Sequence, residues 1–199
     1  MVNNGSYEIM INEKRQDVNK FKKVFLEKDG AFLLTKKVVW FKIYKNIKKR
    51  GIIMLKGIPA ILSPELLKVL CEMGHSDTIV IADGNFPSET IGKDAVVIRA
   101  DGHGVPELLE AILKVFPLDT YVEKPVSIMQ VVPGDKVETP IWDEFKSIVA
   151  KADERGADAF GQVERFEFYE RAKKAYAVIA TGETAIYANI MLQKGVVTE

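Results

Sequence analysis

Only one cysteine, Cys71, and two histidines, His75 and His103, occur in the 199 residues, and each scarcity narrows the chemistry. A lone cysteine cannot close an internal disulfide, which fits a reducing cytosol, and its place in the helical run ELLKVLCEM reads as an ordinary core thiol. Two histidines, with no Cys-x-x-Cys or His-x-x-x-His spacing, leave no typical zinc site. No stretch approaches the roughly 18 continuous apolar residues of a spanning helix, and the N-terminus lacks the basic, apolar and small-residue order of a signal peptide. The expected address is the cytoplasm, with no membrane partner. TGETAIYAN carries no phosphate-binding glycine pattern, and no Gly-x-Ser-x-Gly elbow occurs. Nothing in these residues calls for a metal, nucleotide or other cofactor.

The formal net charge is zero, yet the charges are unevenly divided. Residues 1–53 hold 13 Lys/Arg against 5 Asp/Glu, so the part from Met54 onward is acidic by the same margin. An acidic body argues against nucleic acid, whose phosphates require a concentrated basic face, and favours a neutral or polar small molecule. Residues 1–53 contain a single alanine and only broken periodicity, ending in KNIKKRG. They read as upstream sequence from a misplaced start, a loosely folded basic appendage, or a partner-binding arm. The body at 54–199 looks complete without them and is expected to fold on its own.

From Met54 the punctuation is regular. In LSPELLKVLCEMGH, Ser63 is a natural N-cap, Pro64 fits the first helical position, and Leu66, Leu67, Leu70 and Met73 recur at helical spacing, with Gly74 as a stop. DTIVIAD and AVVIRAD read as short buried strands. GVPELLEAILKVFP is a second helix, PVSIMQVVP a strand bounded by prolines, and TPIWDEFKSIVAKAD repeats a cap-then-proline signature with Thr139 and Pro140. A helix around FYERAKKA leads into the strand YAVIATG, and NIMLQKG supplies a last strand. Helices alternating with apolar strands imply a layered α/β domain over a largely buried sheet.

Active groups in such sheets collect where strands end. Asp83 ends DTIVIAD, where it either bonds local backbone or holds a ligand. Arg99 and Asp101 end AVVIRADG as an expected ion pair. His75, after the helix stop, is a surface residue or cap unless its proton is used; imidazole exchanges a proton near neutrality without a large shift. Helix-stop and strand punctuation make His75 and Asp83 two loop-edge groups that the fold can bring together. His103 has the same generic standing. Arg165 sits at the start of RFEFYERAKK, in reach of a polar ligand, and Tyr187 and Asn189 flank the turn into the last strand, where they can bond sugar hydroxyls or simply pack.

Taken in order, LKGIPAILSPELLKVLCEMGHSDTIVIADGNFP, VIRADGHGVPELLEAILKVFPLDTYV, TPIWDEF, RFEFYERAKKAYAVIATGE and YANIMLQKGV resemble the L-fucose mutarotase family, sister to the D-ribose pyranases, from Met54 to about Val197. The resemblance implies a single three-layer α/β/α domain with a mixed sheet. It implies a cofactor-independent isomerase that interconverts the α and β anomers of L-fucopyranose through ring opening and reclosure. By the same resemblance His75 is the proton donor, and Asp83, Arg165, Tyr187 and Asn189 bind the sugar. It further implies a homo-oligomer, commonly a decameric ring, with sites near subunit boundaries. Two positions depart from the family: Ala188 replaces a common glycine, giving YAN as in ribose pyranases, and His103 stands where leucine is frequent. The alternatives are a D-ribose pyranase or broader aldose mutarotase, and a non-catalytic sugar-binding protein of the same fold.

Overall fold

Helix α1, Pro64–Glu72, begins as its sequence dictates: the Ser63 hydroxyl accepts the Leu66 N–H at 3.2 Å, and Pro64 occupies the first turn, where it forfeits no hydrogen bond. The computed structural model to which it belongs describes residues 55–198, so the expected extension at 1–53 lies outside the described residues. Leu66, Val69, Leu70 and Met73 form the buried stripe of α1. Cys71 lies about 100° round the helix from Leu70 and is exposed, which corrects its expected place in the core. Gly74 also differs from expectation. Met73 itself turns extended, the Gly74 N–H is held by the Asp77 carboxylate at 2.7 Å, and Ser76 takes the left-handed backbone at φ 71°.

Strand β1, Thr78–Ala82, follows, then α2, Ser88–Ile91; β2, Val96–Ala100; α3, Val105–Ile112; β3, Val126–Met129; and α4, Ile141–Val149. A 3₁₀ turn at Gly156–Ala159 leads into β4, Phe160–Val163, then α5, Arg165–Ala172; β5, Ala177–Thr181; and β6, Ile190–Gln193. The sheet order is β2-β5-β1-β6-β3-β4. All neighbours are parallel except β6, which runs antiparallel to both β1 and β3. The sheet is therefore mixed, as expected.

Alternation along each strand divides the apolar residues between two faces. Ile79, Ile81, Ile179, Ile190 and Leu192 pack with Leu66 of α1, Leu108 and Leu109 of α3 and Phe145 of α4. Val80, Ala82, Val178 and Met191 pack on the other side with Ile91 of α2 and Phe168 and Ala172 of α5. Helices thus cover both faces, giving three layers. Two short elements, α2 and β4, have no strong sequence signal. Thr139 contributes its carbonyl and not its side chain to the start of α4, since Trp142 N–H bonds Thr139 O at 3.0 Å and no side chain caps the helix.

Candidate active site

Because β1, β2, β3, β4 and β5 all point one way, their following loops meet at one edge of the sheet, and the loop entering antiparallel β6 joins them there. Asp83, immediately after β1, is buried at that edge. Its Oδ1 accepts the Asn85 N–H at 3.0 Å; its Oδ2 accepts the Asn189 Nδ2–H at 2.8 Å and the Ala188 N–H at 3.3 Å. Asn189 returns the contact, accepting the Asp83 N–H on Oδ1 at 2.9 Å. Three of the roughly four acceptor directions of the carboxylate are filled, leaving room for one ligand hydroxyl. Burial pushes the Asp83 carboxyl above its ordinary value, against the downward pull of these hydrogen bonds.

Tyr187, two residues before Asn189, adopts φ 58°, a left-handed backbone that costs a bulky residue energy and is held only where its surroundings insist. They do so from several sides. Its carbonyl accepts the Trp142 Nε1–H at 2.9 Å, and its hydroxyl donates to Asp135 Oδ2 at 2.8 Å and accepts the Val132 N–H at 3.4 Å. Arg165 opens α5 at the same edge, with its guanidinium over the Phe166 ring at 4.7 Å and its charge acting on Tyr187. Its Nε is buried with no hydrogen-bond partner among the described residues. Such an atom is costly to leave unpaired.

His75 is elsewhere. It precedes β1 whereas Asp83 follows it, so the whole strand, about 13 Å at ~3.3 Å per residue, stands between them. The expectation that one chain brings the two together is overturned by the direction of β1. At its own edge His75 is well supported: Nε2 meets Asp119 Oδ2 at 3.1 Å, with the imidazole 42% exposed and the carboxylate 1%. Asp119 also accepts the Gln193 Nε2–H at 2.9 Å and the Tyr121 N–H at 2.9 Å. Burial alone would raise the Asp119 carboxyl, but the bonds from Tyr121, His75 and Gln193 outweigh it and hold the group below its ordinary value. An ionised Asp119 takes the His75 Nε2–H, which leaves Nδ1 for exchange with a ligand. Tyr121, 78% exposed, stands beside the imidazole with ring centroids 5.2 Å apart.

Sequence reasoning missed both Asp119, inside PLDTYV, and Asp135, inside VPGD. Neither aspartate has a helix or strand beside it that marks it as special, and their partners lie 44 and 52 residues away. The remaining candidates behave as expected. Arg99 and Asp101 pair at the surface, and His103 bonds Glu107 at 3.1 Å on α3. A cleft of about 510 Å³ beside Asp83 is lined by Phe86, Ser88, Arg99, Asp101 and Thr181, but by none of His75, Arg165, Tyr187 or Asn189. Asp83 itself is among the residues that line this cleft, so the cleft opens onto one side of the Asp83 cluster. Among the described residues no group of three or more His, Cys, Asp or Glu is arranged to hold a metal ion, and no helix is long and apolar enough to cross a membrane.

Fold and site together define a three-layer α/β protein whose mixed sheet carries a polar cluster at each edge. Residues 56–197 match the RbsD / FucU transport protein family. The chain belongs to that family. It is 57% identical over 148 residues to the fucose mutarotase of Homo sapiens, covering 72% of this chain and 95% of the human one. The structure of FucU from Bifidobacterium longum shares 67% identity at a TM-score of 0.71, covering 72% of this chain and all of that one. The fucose mutarotase of Streptococcus pneumoniae, solved in complex with L-fucose, shares 47% identity at a TM-score of 0.67 with the same coverage.

Proposed function

We propose that this protein is an L-fucose mutarotase, a carbohydrate isomerase that equilibrates α- and β-L-fucopyranose. The observation that carries the reading is the edge cluster of Asp83, Asn189, Tyr187 and Arg165, where a buried carboxylate with one open acceptor direction stands with a strained tyrosine and an unpartnered guanidinium N–H. These groups suit a ligand with several hydroxyls in fixed positions, and pairing of that kind discriminates strongly between sugars. The relatives that act on or bind fucose supply the identity of the sugar.

The chemistry needs a proton delivered to the ring oxygen and one removed from the anomeric hydroxyl. The C1–O5 bond then breaks to give the aldehyde, C1–C2 rotates, and O5 closes on the other carbonyl face. His75 is the proton donor, its ring oriented by Asp119 as a histidine–carboxylate pair. Asp83, Asn189, Arg165 and Tyr187 hold the hydroxyls. His75 and Asp83 sit at opposite ends of β1, so the site is completed by a second copy: His75 of one subunit meets the Asp83 edge of another. That requirement calls for a homo-oligomer, and the family resemblance implies a decameric ring. The basic segment 1–53 is an appendage to the catalytic body, and the protein works in the cytoplasm.

Mixing variants tests the shared site. His75→Ala and Arg165→Ala each abolish most acceleration alone. Co-assembled in equal amounts they regain about a quarter of wild-type sites, because a random ring pairs one intact edge with the other at that frequency. No regain in verified mixed assemblies contradicts the shared site. The ribose reading rests on YAN, but Ala188 is fully buried in the core, and the relatives that act on or bind fucose favour that sugar. We therefore keep fucose, with ribose measured beside it.

A further inference from the structure

The loop after β3 carries the sequence Val132-Pro133-Gly134-Asp135. Proline at the second position and glycine at the third, here at φ 94°, are the residues of a type II β-turn, and the Asp135 N–H closes it on Val132 O at 3.0 Å. The turn sets the Val132 N–H and the Asp135 carboxylate side by side, and both grip one atom, the Tyr187 hydroxyl oxygen. Asp135 is itself exposed, and its carboxylate holds nothing else among the described residues.

A phenolic oxygen has one hydrogen to give and two acceptor directions. With the hydrogen committed to an ionised carboxylate, a bond about twice as strong as a neutral one, and one acceptor direction used by Val132, what remains is a single fixed acceptor. Resting on the reading that Tyr187 contacts the sugar, we propose that Asp135 is a positioning residue of the mutarotase: it takes the Tyr187 hydroxyl hydrogen so that the phenolic oxygen meets a sugar hydroxyl as an acceptor. The anomeric hydroxyl, which must surrender hydrogen-bond density as the ring opens, is the group that needs such an acceptor. The charged groups acting on Tyr187 are Asp135 and Arg165. Asp135 drives the phenol above its ordinary value near 10, while the Val132 N–H and the Arg165 charge pull it down.

The test compares wild type, Asp135→Ala and Asp135→Asn in L-fucose anomer exchange followed by saturation-transfer NMR, with circular dichroism confirming the fold of each. Asparagine keeps a neutral acceptor for the Tyr187 O–H and alanine does not. The expected result is a fall of roughly ten- to hundredfold in kcat for Asp135→Ala, with substantial recovery in Asp135→Asn. Titration of ¹³Cζ-labelled tyrosine, with Tyr187 assigned by its loss in Tyr187→Phe, is expected to move to lower pH in Asp135→Ala. A merely structural loop contact moves the titration and leaves kcat in place. Wild-type kcat in Asp135→Ala overturns the proposal, whether or not the Tyr187 titration moves, while the mutarotase reading stands. A wild-type protein that fails to accelerate fucose exchange overturns that reading and this proposal with it.

Discussion

Asp119 and Asp83 are both buried carboxylates, yet they are displaced in opposite directions: burial outweighs the hydrogen bonds at Asp83, whereas at Asp119 the hydrogen bonds and the charge of His75 outweigh burial. The folded carboxyl of Asp119 lies below its ordinary 3.8, so the unfolded chain binds more protons there and the resulting stability, present above about pH 4, is lost as pH falls through the folded value. Asp83 lies above 3.8, so the folded state holds the extra proton and acidification favours folding there. Asp119→Asn is therefore expected to flatten the loss of stability between about pH 5 and pH 3, measured by urea melts at each pH. At neutral pH the same change is expected to cut fucose exchange roughly ten- to hundredfold, because His75 loses its charged partner. Asp83→Ala strands the Asn189 amide and the Asn85 and Ala188 N–H groups. Its expected cost is roughly 1–3 kcal/mol in a denaturant melt.

At the scale of elements, much was readable in advance. Ser63-Pro64 marked the start of α1, the apolar runs marked β1, β2, β3, β5 and β6, and Pro106 marked the start of α3, because each signal is local. Phe160–Val163 gave no such signal: its four residues run buried, half-buried, exposed and buried, without alternation, and its place in the sheet comes from pairing with β3. The five expected site residues were legible as types at strand ends and helix starts. The order His75, β1, Asp83 already sets these two at opposite ends of the strand, but the gathering of Tyr187 and Asn189 at the Asp83 edge was not legible, because the antiparallel insertion of β6 is a tertiary fact. The segment that carries Asp119 depends on close backbone approach. A Cβ at Gly195 would lie 2.5 Å from Leu118 O and 3.0 Å from the Asp119 Cα. Gly195→Ala is thus expected to cost roughly 1–3 kcal/mol and to lower the melting temperature by calorimetry. It is also expected to slow fucose exchange by shifting Asp119 from His75.

For the whole molecule, the family match begins at residue 56, close to the change in composition at Met54. A chain starting at Met54 is expected to fold and to retain mutarotation. An insoluble or inactive protein contradicts the view of 1–53 as an appendage. We propose that a body with polar clusters at both edges of one sheet acts on sugar as an assembly, and the mixed-variant experiment tests that arrangement. The central claim is the catalysis itself. Saturation-transfer NMR on L-fucose at anomeric equilibrium, with D-ribose in parallel, measures it directly. The expected result is faster α/β exchange of fucose with wild-type protein, a smaller effect on ribose, and a loss of about 10²–10⁴-fold in His75→Ala with the fold intact. Fucose exchange no faster with the protein than without it contradicts the account.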